Sequence, residues 1–334
     1  MSVSRLVAGV VGLPEETKRK ISSIIGAVVA DAASLPLEWI YQEEKMNEIV
    51  GDSNPEFWRE SKCPFFTVPT GKISCYTDEL ISTLETLAIS DGNLDISLIT
   101  SAIQTKFGAP GSPYQVALAK RADKKYPIPG PWINSAVIKS LLNIQEGVIP
   151  SGSDSCEDND GYAVSLPSYL LKFSPEQSGN TASILTTNQV ALSHLDVQTA
   201  IIKNFITGIK EPVNQVIKQF ETKHPEIVSE IEYVLNLTSE GKSVKCIVET
   251  CGKACGLPGS FQGALASIVA APDYVWAVRK NILAGGDCNA RANFMGACLG
   301  AKFGIEGIPI EWIEKVDGIN TILENAVKVF AASN

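Results

Sequence analysis

Two stretches of this 334-residue chain set oxygen-bearing side chains side by side at predicted helix starts. Thr77-Asp78-Glu79 precedes an apolar run through Leu80, Ile81, Leu84 and Leu87, and Asp287 and Asn289 follow a Gly285-Gly286 break. Glu38 stands between apolar neighbours after the first long apolar segment. Carboxylates, a hydroxyl and an amide oxygen gathered in one place are ligands for a hard cation. Each also has an ordinary reading. Thr77 and Asp287 suit helix caps, acids in a first turn complement the helix dipole, and Glu38 suits a solvated loop.

The elements that must hold these groups are helical. Ala292, Gly296, Ala297, Gly300, Ala301 and Gly304 recur at steps of three and four, so the helix after Asp287 packs its backbone close to a neighbour. Gly304 and Gly307 end it, and Pro309 opens the next element. Residues 17–34 form an earlier buried helix through Ile21, Ile24, Ile25, Val28 and Val29. Helical periodicity continues over 80–87, 94–107, 134–142, 187–208, 213–237, 244–255, 260–271 and 273–283, where Asp273 is a further cap. Alternating β-branched strands are scarce. The expectation is an all-α fold and one domain over 1–334, with an exposed loop near 151–161. Asp154, Glu157, Asp158 and Asp160 in that loop miss the EF-hand spacing.

Composition narrows the function. Asp plus Glu is 37 against 28 Lys plus Arg, a net charge of -9, which argues against nucleic-acid or anionic-membrane partners. Asp31 and Pro36 interrupt the one long apolar stretch, so it reads as a core helix rather than a membrane span. Cys251 and Cys255 share a helix-like spacing, but two histidines, His194 and His224, give a zinc site little to complete it. The eight cysteines read as free thiols of a cytoplasmic protein, His194 as a structural group, and Lys120, Arg121, Lys124 and Lys125 as a solvated basic face.

Taken together, Glu38, the Thr77 triplet and the Gly-Gly-Asp block with its small-faced helix and Ile308-Pro309 to Trp312 resemble the ADP-ribosylglycohydrolase family. The resemblance implies a single orthogonal helical bundle with a binuclear magnesium site between helices, and hydrolysis of an ADP-ribosyl bond. Glu38 matches the family's metal-binding Glu after the first helix. Thr77 and Asp78 match a Thr-Asp-Asp triplet whose third position is here Glu79. Asp287 matches a Gly-Gly-Asp-Thr-Asp-Thr block in which Asn289 and Ala290 replace an acid and a hydroxyl. The family's second-motif glycine loop and Met-Arg pair are not recognisable over 127–139. Within the family, Gly130-Pro131-Trp132 resembles the J-type crystallins, lens proteins of jellyfish.

The carry-over implies metal ligands Glu38, Thr77, Asp78, Glu79, Asp287 and Asn289, with Glu38 and Asp78 as catalytic groups if the site is active. Asn289 brings no charge, and Glu79 is one methylene too long for close octahedral geometry. The expectation is at most one weakly bound magnesium ion and catalysis weak or lost: a structural lens protein, a pseudoenzyme that self-associates only when concentrated. The alternatives are an active magnesium-dependent hydrolase and a non-catalytic protein that holds an ADP-ribose-like ligand.

Overall fold

The structure, a computed structural model, describes residues 2–331. Helices dominate. The chain opens with α1 (Val3–Val11), α2 (Glu15–Ser34) and α3 (Glu43–Val50), then α4 (Cys75–Ile89), α5 (Ile96–Ile103), α6 (Pro113–Lys120) and α7 (Ser135–Gln145). The middle holds α8 (Asp160–Lys172), α9 (Pro175–Ala182), α10 (Gln189–Ile206), α11 (Pro212–Phe220), α12 (Pro225–Ser239) and α13 (Val244–Cys251). The last part holds α14 (Gly259–Ala270), α15 (Tyr274–Leu283), α16 (Cys288–Phe303), α17 (Ile310–Ile313) and α18 (Ile319–Ala331). Two dipeptide strands, β1 (Phe66–Thr67) and β2 (Ile128–Pro129), pair in parallel.

The centre is the contact between α2 and α16. A Cβ on Gly26 would lie 2.3 Å from the Gly296 carbonyl oxygen, and one on Gly300 would lie 2.1 Å from the Ser22 oxygen. The two backbones therefore touch, as the spacing of small residues in α16 predicts. Tyr274 caps the contact by donating its hydroxyl to the Gly26 carbonyl at 2.6 Å. The main hydrophobic cluster around this pair runs from Leu6 to Phe330. Residues 15–37 are long and apolar enough to cross a membrane by length and composition, but 94% of the apolar 18-residue stretch within them is buried inside the bundle.

Several expectations need correction. The 213–237 pattern is two helices, α11 and α12, because Pro225 starts a new one. Helix α13 stops at Cys251, where Gly252 takes φ 120°, so Cys255 lies outside it and the helical spacing of the two cysteines is lost. The 151–161 stretch is exposed only in part. Ser151, Gly152 and Ser153 are buried by a bridge to Thr186, and Asn159 to Gly161 are buried at the entrance to α8. Helix α8 was not legible beforehand because its side chains are buried on nearly every side, and Pro167 lies within it. A helix buried on nearly every side, with Asp160, Ser165 and Ser168 among its buried residues, has no clean amphipathic period to detect.

Candidate functional site

Glu38 and Asp287 are far apart in sequence and are brought together by a small zipper. After a 3₁₀ turn over Leu35–Leu37, Trp39 donates its N–H to the Gly286 carbonyl at 2.8 Å, and Gly286 donates back to the Ile40 carbonyl at 2.9 Å. Both glycines are required. Gly285 and Gly286 have φ of 72° and 68°, and a Cβ would meet the Ile40 oxygen at 2.6 Å or the Lys253 oxygen at 2.3 Å. The fully buried Arg291 pins the turn by donating to the Gly285 carbonyl at 2.6 Å and to the Asn281 side chain at 2.8 Å. Asp287 caps α16, accepting from the Ala290 N–H at 2.9 Å. Glu38 is buried against it. Burial, then the negative charges of Asp287 and Asp31, push the Glu38 carboxyl well above its usual range, and it hydrogen-bonds Asp287.

Asn289, the second residue of α16, lies in the same corner. Its Nδ2 donates to the Asp31 carbonyl at 2.9 Å and to Asp31 Oδ1 at 2.8 Å. Asp31 is fully buried and also accepts from the Ser74 N–H at 2.7 Å and the Ser74 hydroxyl at 2.6 Å. Burial raises it to about 6, against the pull of hydrogen bonds from Ser74, Asn289 and Thr77. Thr77 accepts from Asn293 Nδ2 at 3.3 Å. Glu38, Asp287, Asn289 and Thr77 are thus collected around Asp31, which the sequence offered only as a polar interruption in an apolar helix.

Asp78 and Glu79 face elsewhere. Helix α4 begins at Cys75 with Ser74 in the cap position, so Thr77 is inside the helix and not its cap. Consecutive helical side chains diverge by about 100° around the axis. Asp78 Oδ1 takes the Lys106 ammonium at 2.8 Å, and Oδ2 takes the Tyr114 hydroxyl at 2.7 Å. Glu79 is fully buried and accepts the Cys75 thiol at 3.3 Å. It faces Asp160, which accepts from Asn134 at 2.9 Å and neighbours Asp158. Burial raises all three of these carboxyls above their usual range.

Several of the expected ligands are already engaged by partners within the chain. Asn289 presents an amide donor to the cluster centre, and Asp78 already has a partner on each oxygen. The space beside Glu38 is small as well. Trp39, Phe66, Tyr76, Trp132 and Asn134 enclose about 10 Å³, room for about one water. Trp39, held at φ 61°, meets Trp132 edge-on at 5.0 Å and Phe66 at 5.4 Å. Arg121, expected on a solvated face, instead lies 3.4 Å over the Trp132 ring. The Gly130-Pro131-Trp132 segment places this plug. Gly130 has φ 114°, and a Cβ there would meet Ala117 at 3.0 Å. His194 is structural, as expected, bonded to the Val190 carbonyl and to Glu230.

Comparison with known proteins agrees with this architecture. Crystallin J1A of Tripedalia cystophora is 28% identical over 314 residues, covering 92% of this chain and 95% of the relative. Crystallin J1B of the same animal is 27% identical over 321 residues, covering 93% and 96%. A solved structure described as an ADP-ribosylglycohydrolase-related protein complex superposes with a TM-score of 0.65 at 17% identity, over 96% of this chain and 100% of that one. The profile of the ADP-ribosylglycohydrolase family matches residues 14–334. The all-α bundle is the fold of that structure, and this chain belongs to the ADP-ribosylglycohydrolase family.

Proposed function

We propose that this chain is a structural protein of the lens-crystallin kind, a hydrolase scaffold kept for its packing, with its metal centre degraded and its catalysis lost or weak. The observation that carries this reading is the filled cleft. A drug-sized ligand occupies a pocket of roughly 300 Å³ or more, whereas the aromatic plug leaves about 10 Å³ beside Glu38. Support also comes from relatives that are themselves crystallins. Glu38, Asp287 and Asp31 leave enough negative charge for at most one weakly held magnesium ion. The eight free cysteines suit a reducing, cytoplasmic setting. The net charge of -9 opposes self-association except at high concentration.

The test is hydrolysis of ADP-ribosyl-arginine and ADP-ribosyl-serine substrates with millimolar magnesium, paired with calorimetry against ADP-ribose. The reading expects neither turnover nor heat. Metal-dependent turnover would replace it with the hydrolase reading. Heat without turnover would replace it with that of an ADP-ribose-binding protein.

A further inference from the structure

Asp78 sits at a position where the family resemblance implies a metal ligand, yet the chain supplies its own cation there. The device begins in α5. After Ile103 the helix widens into a π turn over Gln104–Gly108. A π turn adds a residue to the helical register and often marks a functional position. Here it divides two neighbouring side chains. Phe107 goes into the core and packs on the Tyr114 ring at a centroid distance of 4.6 Å. Lys106 goes to Asp78, with Nζ 2.8 Å from Oδ1. The same Tyr114 that receives Phe107 donates its hydroxyl to Asp78 Oδ2 at 2.7 Å. The turn is held by Gln115, whose Nε2 donates to the Phe107 carbonyl at 2.7 Å. Gly108 keeps it against α7, since a Cβ there would meet Leu141 at 2.9 Å.

We propose that Lys106 is a built-in counter-cation: its ammonium group holds Asp78 in the role a metal ion would otherwise have, and so removes Asp78 from cation binding. A divalent ion approaching Asp78 competes with Lys106 and Tyr114 for its oxygens and meets the repulsion of the ammonium charge. Asn289 makes a parallel replacement at Asp31, where an amide donor satisfies an anionic oxygen from within the chain. The inference rests on the reading of the chain as a scaffold with an altered metal centre, and it deepens that reading by naming what took over one ligand.

The experiment is titration with Mn²⁺, followed by electron paramagnetic resonance, of the full chain and four variants. In the wild-type chain, Asp78→Asn leaves any Mn²⁺ affinity unchanged. Lys106→Met gains Mn²⁺ affinity at least tenfold, Asp78→Asn added to Lys106→Met removes the gain, and Lys106→Arg shows none because it keeps the charge. Loss of wild-type Mn²⁺ binding on Asp78→Asn overturns the proposal, as does a Lys106→Met chain with no Asp78-dependent gain. If Lys106→Met does not fold, the Asp78→Asn comparison in the wild-type background decides alone. Hydrolysis by the wild type would sink the structural reading without touching this one. Asp78-dependent Mn²⁺ binding in an inactive wild type would sink this one only.

Discussion

Asn289 Nδ2 donates to two acceptors of the same residue, the carbonyl oxygen of Asp31 at 2.9 Å and its Oδ1 at 2.8 Å. The residue that takes the place of a family acid is thus the donor that satisfies a fully buried carboxyl. Converting Asn289 to Asp would turn both hydrogen bonds into acceptor–acceptor contacts. A buried, unpaired charge costs about 3–5 kcal/mol. Asn289→Asp therefore loses about that much stability in urea denaturation with chelator present. A variant as stable as the wild type would show that the corner tolerates a second acid.

The pH dependence follows from Asp31, raised by burial from 3.8 to about 6. A raised carboxyl means the folded chain holds a proton that the unfolded chain releases. Its contribution is fully present below the unfolded value and is lost as pH climbs through about 6. The shift corresponds to ~3 kcal/mol. Glu38, Glu79, Asp158 and Asp160, also raised by burial, act with the same sign. The urea midpoint should be higher at pH 5 than at pH 7.5, and Asp31→Asn should flatten that slope. Identical slopes in the two proteins would refute the assignment to Asp31.

Gly296 and Gly9 form a matched pair of glycine tests. A Cβ on Gly296 would meet the Gly26 oxygen at 2.3 Å and the Ala30 Cβ at 2.7 Å, both on α2. Nothing lies within 4 Å of one on Gly9 in α1. Gly296→Ala should lose about 3 kcal/mol or more, because two backbones must separate. Gly9→Ala should be neutral or gain up to ~1 kcal/mol from helix propensity. Thermal denaturation of the two variants reads both, and equal melting points would contradict the close α2–α16 contact.

Trp132 ties the plug together through Trp39 at 5.0 Å and through Arg121, 3.4 Å over its ring. It is only half-buried, so Trp132→Ala should cost less than deletion of a core aromatic, about 2–3 kcal/mol. The loss of exciton-coupled near-ultraviolet circular dichroism from the edge-on Trp39–Trp132 pair would accompany it. An unchanged spectrum would mean the two rings are not held together in solution.

Much of this molecule is written locally. Gly285-Gly286, Asp287 and the small residues after it specify a tight turn, a cap and a closely packed helix, because glycine conformation, capping and side-chain period depend on neighbours in sequence. The family motifs around Glu38, Thr77 and Asp287 are legible for the same reason. Tertiary structure alone decided what these groups do. Thr77, Asp78 and Glu79 are adjacent in the chain but point to three different neighbourhoods, since a helix turns each side chain away from the last. Lys106, Asp31, Asp160 and the Trp39–Trp132 plug gain their meaning from partners brought together by packing, and no spacing rule connects residues that meet only across helices. Whether a carboxylate grips a metal, a lysine or another carboxyl is set by which helix face lies opposite it.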